Sequence, residues 1–108
     1  MDLENTKAQM RKGILEYCIL SVLSANSCYA SDIIRELKEA EVIVVEGTLY
    51  PLLTRLKNSG LLSYRWEESQ QGPPRKYYEL TEEGRIYLAD LDKSWQQLVE
   101  SVNQIRTR

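Results

Sequence analysis

The stretch from residue 46 to residue 60 constrains the fold of this chain more than any other part of its sequence. Its leucines fall at the i, i+3, i+4, i+7 spacing of one helix face: Leu49, Leu52, Leu53 and Leu56. This spacing predicts a helix over residues 46–59 with one buried side. Gly60 is well placed to end it, because glycine readily adopts the left-handed backbone conformation that closes a helix. Pro51 fits only near the start of a helix, where its missing N–H matters least.

The opposite side of this helix is small and polar, whereas an ordinary solvated face would be dense in Glu and Lys. Hydroxyl and amide side chains lie there with cations at the border, a surface that suits insertion into the major groove of DNA. We predict that this recognition helix contacts DNA through Gly47, Thr48, Tyr50, Pro51, Thr54, Arg55, Lys57 and Asn58. For Tyr50, the alternative is a residue that caps the edge of the core.

Two further helices are predicted ahead of this stretch. The first runs from Asn5 or Thr6 to Ser24 and is apolar on more than one side, which indicates that a second surface covers it besides its own domain. The second runs from Ser31, a good N-cap, to about Ala40. With a link at residues 41–45, it forms a helix-turn-helix whose second member is the recognition helix.

After Gly60 the hydrophobic period changes from 3.6 to 2, which predicts a β hairpin. We expect one strand from Leu62, a loop at residues 69–74 and a second strand over residues 75–80. A hairpin in this position makes the fold a winged helix, with Trp66 expected to pack beneath the wing. The wing cations are Arg75 and Lys76. They are expected to grip phosphates or enter the minor groove, and a solvated turn is the alternative.

A last helix, capped by Thr81, is predicted over residues 81–108. It carries a heptad seam of apolar residues. The seam consists of Leu88, Leu91, Trp95, Leu98, Val102 and Ile105. We predict that it pairs with a second copy of the chain, the alternative being that it packs on the first helix. Two Trp95 rings facing across the dimer, with Leu91 beside them, would form a slot for a flat ligand. The alternative for Trp95 is a plain aromatic anchor.

Composition excludes several classes of function. The 108 residues include no histidine, and neither a phosphate-cradling glycine loop nor a nucleophile elbow occurs, so we expect no enzyme. No cofactor or metal is expected, because Cys18 and Cys28 lie in no metal-ligand spacing and are typical of reduced cysteines. No apolar run is long enough to span a membrane, and the N-terminus lacks the pattern of a signal peptide, so the expected location is cytoplasmic.

The net charge of −2 argues mildly against a nucleic-acid partner. The distribution of the charge along the chain weakens this argument. Residues 46–80 carry five Lys or Arg against four Asp or Glu, a formal charge of +1. Non-specific affinity for DNA should be weak, with specific contacts and dimer symmetry making up the difference. A winged helix that binds a protein partner and not DNA is the alternative function.

Several blocks of this sequence resemble the PadR family of transcriptional regulators. They are the Glu-Gly-Thr-Leu-Tyr-Pro-Leu-Leu-Thr-Arg-Leu of residues 46–56, residues 60–62, the Gly-Pro-Pro-Arg-Lys-Tyr-Tyr of residues 72–78, and residues 80–84. The resemblance extends over nearly the whole chain, to the last helix with Trp95. It implies the short subgroup with one C-terminal helix, and a dimeric repressor that responds to a small aromatic effector near the dimer interface.

We therefore predict a mainly α fold with a small β hairpin. Residues 1–80 form a winged helix-turn-helix and residues 81–108 a dimerisation helix, within one compact domain. The predicted function is a dimeric, sequence-specific DNA-binding transcriptional regulator, a ligand-responsive repressor. Its partners would be a pseudo-palindromic duplex operator, a second copy of itself and a small aromatic effector.

Overall fold

A computed structural model describes residues 1–42 and 45–108, and in these residues four helices surround a small antiparallel sheet. The elements in order are α1 (Leu3–Ala25), β1 (Cys28–Tyr29), α2 (Ala30–Glu39), α3 (Glu46–Asn58), β2 (Leu62–Ser69), β3 (Gly72–Leu80) and α4 (Glu82–Arg106). The predicted winged-helix architecture is confirmed. The predicted link at residues 41–45 includes Ile43 and Val44, which lie outside the described residues.

The core lies where the apolar faces of α1, α2 and α3 meet. Its most deeply buried side chains are Ile19, Leu20, Leu23, Ile33, Leu49, Leu53 and Leu56. Three of the four leucines of the α3 stripe are thus fully buried, while Leu52 is half-buried at its edge. The apolar face of α3 therefore fixes which side of the helix remains available to solvent.

Gly60 ends α3 as the sequence predicted. Its φ of +82° lies in the left-handed region, and its N–H donates to the carbonyl of Lys57 at 3.0 Å. The N–H of Leu61 donates to the carbonyl of Leu56 at 3.0 Å, which completes a Schellman motif. Pro51 lies deeper in α3 than expected, in the second turn, where it removes the N–H that would bond the carbonyl of Gly47.

The sheet has the strand order β1-β3-β2. No sequence pattern predicts β1, because a strand of two residues shows no period. Tyr29 pairs with Tyr77 across the sheet. This pairing moves the start of α2 to Ala30, ahead of the predicted Ser31 cap. The N–H of Tyr29 donates to the carboxylate of Asp32 at 3.0 Å and so closes the first turn.

The wing is longer than predicted. The prediction of a loop at residues 69–74 is wrong except at the tip of the hairpin. The strands extend to Ser69 and Gly72, which pair with each other, so residues 70–71 alone form the turn. The register shifts between Glu67 and Ser69. Residues 73–74 are prolines facing this irregular stretch, where the missing N–H groups cost no regular ladder bond.

Both long helices begin with side-chain caps. The carboxylate of Asp2 accepts from the N–H of Glu4 at 2.9 Å, which starts α1 earlier than the predicted Asn5 or Thr6. The hydroxyl of Thr81 accepts from the N–H of Gly84 at 3.0 Å, as the sequence predicted for α4. The same hydroxyl donates to the carbonyl of Gly60 at 2.6 Å, so the start of α4 is fixed to the end of α3.

Gly84 is required at this junction, because a Cβ at its position would overlap the backbone carbonyl oxygen of Leu61. We expect Gly84→Ala to lower the free energy of unfolding by about 2 kcal/mol in urea denaturation, since a backbone carbonyl cannot rotate away. Gly13→Ala is the matched control. Within the described residues, and apart from the adjacent residues and backbone of its own helix, no atom lies within 4 Å of a Cβ built at Gly13, so alanine should leave stability equal or higher there. Equal effects of the two substitutions would contradict this account.

Candidate nucleic-acid interface

The predicted recognition face of α3 points away from the core. All eight of its predicted contact residues are exposed: Gly47, Thr48, Tyr50, Pro51, Thr54, Arg55, Lys57 and Asn58. Tyr50 is 46% exposed, and its hydroxyl lies 3.4 Å from the carboxylate of Glu46, one turn back on the same helix. The face therefore presents hydroxyl groups, an amide and cations to solvent on a rigid helix.

Arg55 is already paired within the chain. Its guanidinium forms an ion pair with the carboxylate of Glu16 on α1. Because both side chains are accessible to solvent, the pair adds little stability. It does orient Arg55 toward α1, so a contact between Arg55 and a nucleic acid has to compete with Glu16.

The wing cations are held against aromatic rings. The guanidinium carbon of Arg75 lies 3.8 Å from the ring centre of Tyr29, and the ammonium of Lys76 lies 4.5 Å from that of Tyr64. In the part of the chain that the structure describes, neither cation has a carboxylate partner, whereas Arg65 on β2 is bound by Glu67. Both predicted wing cations are thus positioned by cation–π contacts and remain free to meet an anion.

One face of the wing is turned toward α3. The cross-strand pairs Trp66–Lys76 and Tyr64–Tyr78 belong to this face, since their side chains alternate with those of Arg65 and Tyr77. Lys57 of α3 reaches back to it, with its ammonium 5.8 Å from the ring centre of Tyr64.

Between α3 and this face of the wing runs a cleft made of two adjoining cavities of about 370 and 110 Å³. We call it the α3–wing cleft, and its principal lining residues are Tyr50, Thr54, Lys57, Asn58, Trp66, Arg75, Lys76 and Tyr78. Lys76 and Tyr78 line both cavities and join them. Burial raises the pKa of Tyr78, so its phenol remains neutral at the floor of the cleft.

Trp66 does not pack beneath the wing, and that prediction is wrong. Its side chain is 61% exposed, because Tyr78 and Tyr64 already fill the space between the sheet and the core. The alternating pattern correctly assigned Trp66 to the covered face. The core ends before the strand does, however, and Trp66 lies beyond it.

The seam of α4 divides into a buried start and an exposed remainder. Leu88 is 7% exposed and belongs to the core of its own protomer, so its assignment to a dimer interface is corrected. Leu91 is half-buried against that core. The remaining seam residues are exposed: Trp95, Leu98, Val102 and Ile105.

The exposed part of the seam lines a groove of about 480 Å³ against α1. We call it the α1–α4 groove, and its apolar lining residues are Met10, Ile14, Trp95, Leu98, Val99 and Val102. Sequence reasoning missed Met10, Ile14 and Val99 as members of this surface. For Met10 and Ile14 a signal was available in the sequence, because the apolar residues of α1 cover more than one face of that helix.

Tyr17 fastens α1 to α4 beside this groove. Its phenol donates a hydrogen bond of 2.5 Å to the carboxylate of Asp92, and its ring lies 6.1 Å from that of Trp95. The hydrogen bond to Asp92 and burial together raise the pKa of Tyr17 to about 12. The two predicted effector contacts do not share a cavity, because Leu91 lines a separate recess next to Tyr17.

Within residues 1–42 and 45–108, no helix is both long enough and apolar enough to cross a lipid bilayer. The same residues hold no group of three or more His, Cys, Asp or Glu side chains placed to bind a metal ion.

A helix-turn-helix with an exposed polar face on its second helix, beside a cationic β hairpin, defines the winged-helix class of proteins. The family model described as the transcriptional regulator PadR-like family matches residues 19–90, which is more than half of the chain. The chain therefore belongs to this family. It is a transcriptional regulator and not an enzyme.

Solved structures agree with this assignment. A PadR-like transcription factor from Bacteroides fragilis is 65% identical, with a TM-score of 0.79 over 94% of this chain and 98% of that one. A PadR family regulator from Eggerthella lenta is 30% identical, with a TM-score of 0.89 over 97% of this chain and 92% of that one. Bacillus subtilis PadR in complex with operator DNA is 27% identical, with a TM-score of 0.67 over 72% of this chain and 46% of that one.

Proposed function

We propose that this protein is a cytoplasmic, homodimeric repressor that binds a pseudo-palindromic DNA operator in a sequence-specific way. The observation that carries the proposal is the exposed polar face of α3 next to two wing cations that have no carboxylate partner among the described residues. The relation to Bacillus subtilis PadR, whose structure contains operator DNA, supports it. A dimer seated across a promoter would exclude other proteins from it, which is the physical basis of repression.

The contacts divide between base recognition and phosphate binding. Thr48, Thr54 and Asn58 offer hydrogen-bonding groups to base edges in the major groove, and Pro51 offers an apolar contact to a thymine methyl group. Arg75 and Lys76 bind the sugar–phosphate backbone and fix the register of the protein on the duplex. Arg55 joins them when the phosphate field draws it away from Glu16.

A charge reversal in α3 tests the DNA face. Thr54→Glu places a carboxylate against the phosphates, and we expect it to weaken binding to the region upstream of the protein's own gene by about tenfold or more in a mobility shift. Thr54→Gln has the same size without the charge and should bind more tightly than Thr54→Glu. Both substitutions lie on an exposed helix position, so circular dichroism should show the same thermal transition for each.

The same experiment separates DNA binding from the alternative, a winged helix that binds a protein partner. That alternative is motivated by the pI of about 5.2. A protein that shifts no upstream fragment, or a Thr54→Glu variant that binds as well as the wild type, would overturn the DNA-binding proposal.

The homodimer is the second part of the proposal, with the α1–α4 groove closed by a second copy of the chain. The groove joins exposed apolar side chains of two helices, and on a domain of this size such a continuous patch is typical of an interface. The heptad spacing of the exposed seam favours a helix from another protomer as its occupant. A two-fold axis there would present two α3 helices to half-sites about 34 Å apart or at a multiple of that spacing.

A charged residue in the groove should separate the protomers. Leu98 is 56% exposed in the isolated chain, so Leu98→Asp should leave the fold intact and yield monomers in sedimentation velocity. Ile86→Asp is the matched control, since Ile86 is 59% exposed on the opposite side of α4 and should stay dimeric. A Leu98→Asp variant that remains a dimer would contradict this interface.

The effector response is the third part, with Trp95 as the ligand contact at the dimer interface. The indole lines an apolar groove and lies near the Tyr17 ring, an arrangement suited to stacking a flat aromatic molecule. In a Trp66→Phe background, in which Trp95 is the remaining tryptophan, planar aromatic compounds should quench its fluorescence. Leu98→Asp monomers should lose this quenching. Unchanged fluorescence across a broad panel of such compounds would remove the effector from the proposal.

A further inference from the structure

The wing exposes a large aromatic ring on the side that faces the recognition helix. Trp66 is 61% exposed, and it shares its face of the hairpin with Tyr64 and Lys76. An indole left in water loses the favourable free energy that burial of its apolar surface would supply. An exposed ring of this size inside a binding cleft therefore indicates a surface that a partner covers.

The ring is held in position before any partner arrives. It meets the Tyr64 ring edge-to-face, with centroids 6.0 Å apart and planes at 89°. The ammonium of Lys76 lies 5.6 Å from the Trp66 ring. Two contacts from the same face thus fix the indole, so little conformational entropy is lost when its outer side is covered.

The surroundings of Trp66 identify the chemistry of the partner. In the larger cavity of the α3–wing cleft, Trp66 and Tyr50 stand with the cations Arg75 and Lys76. Rings and cations side by side match a chain in which anionic groups alternate with apolar surface. The sugar–phosphate strand of DNA has this alternation, with phosphates for the cations and the carbon-bound hydrogens of deoxyribose for the rings.

We propose that Trp66 is a DNA contact, whose indole packs on a deoxyribose of the strand held in the α3–wing cleft. Lys76, on the same face of the hairpin as Trp66, binds the phosphate next to that sugar. This inference rests on the proposed DNA-binding function and adds to it an uncharged contact from the wing.

The salt dependence of binding distinguishes the uncharged contact from the charged ones. On an upstream duplex that the wild type shifts, Trp66→Ala should lower affinity by about tenfold at every salt concentration, as expected for one lost apolar side chain. The slope of log K against log salt should stay unchanged. Lys76→Ala should reduce the magnitude of that slope by about one, since it loses one phosphate contact.

Arg65→Ala is the matched control for the wing. Arg65 neighbours Trp66 in β2 but lies on the other face, with its guanidinium carbon 4.8 Å from the ring centre of Tyr77. Its loss removes a cation next to the proposed contact without touching the cleft. Affinity for the duplex should therefore change less than it does for Trp66→Ala.

Nuclear magnetic resonance supplies a direct readout on the full chain. The protein has two tryptophans and so two indole N–H signals, and Trp66→Phe identifies which one belongs to Trp66. Adding the duplex should shift the Trp66 signal more than the Trp95 signal, because Trp95 lies in the α1–α4 groove.

The outcomes separate this inference from the proposed function. If the wild type binds the duplex while Trp66→Ala binds equally well and the Trp66 signal stays in place, the inference is wrong and the DNA-binding proposal stands. If the wild type shifts no upstream duplex, both fail. A change in salt slope for Trp66→Ala equal to that for Lys76→Ala would overturn the uncharged contact specifically.

Discussion

The junction between the end of α3 and the start of α4 is the constraint on which the rest of the structure depends. The Thr81 hydroxyl donates to the carbonyl of Gly60, and the Thr81 N–H donates to the carbonyl of Leu61 at 3.1 Å. Gly84 lets the first turn of α4 approach that same carbonyl. The wing starts and ends at this point, with Leu62 paired to Leu80. The recognition helix, the wing and the C-terminal helix are therefore fixed to one another at this junction, which sets the width of the α3–wing cleft.

A second connection runs through α1. The neighbouring residues Glu16 and Tyr17 bind different helices, Glu16 through Arg55 of α3 and Tyr17 through Asp92 of α4. The Tyr17 ring also lies beside Trp95. The proposed effector contact and the proposed DNA face are thus joined by one short segment of α1 and by the junction at Thr81. Because both connections end at α3, a change in the angle between α1 and α4 would also change the position of the recognition helix.

The features that sequence reasoning predicted correctly are local ones. The leucine period of α3, the left-handed Gly60 and the Thr81 cap each depend on residues within one or two turns. The features it missed are set by distant parts of the chain. Tyr29 becomes a strand residue because Tyr77 pairs with it, and no local pattern carries that information. The heptad seam likewise could not tell that Leu88 lies in the protomer core while Leu98 does not, since both satisfy the same spacing.

Trp66 shows the same limit of local sequence patterns. Its surroundings also show how a chain with a negative net charge can offer a cationic cleft. Alternation placed Trp66 on the correct face, but the extent of the core decides whether that face is covered. Beyond the core, the Lys76 ammonium lies 4.5 Å from the ring centre of Tyr64 and 5.6 Å from that of Trp66, and Arg75 lies over Tyr29. A cation bound to a carboxylate, such as Arg65 or Arg55, has to break that pair or carry its negative partner toward a phosphate. A cation held on an aromatic face keeps its full charge, and its N–H groups remain directed to the ligand. The net charge of −2 then governs non-specific attraction, whereas affinity at a specific site depends on these few unpaired cations and on the rings that hold them.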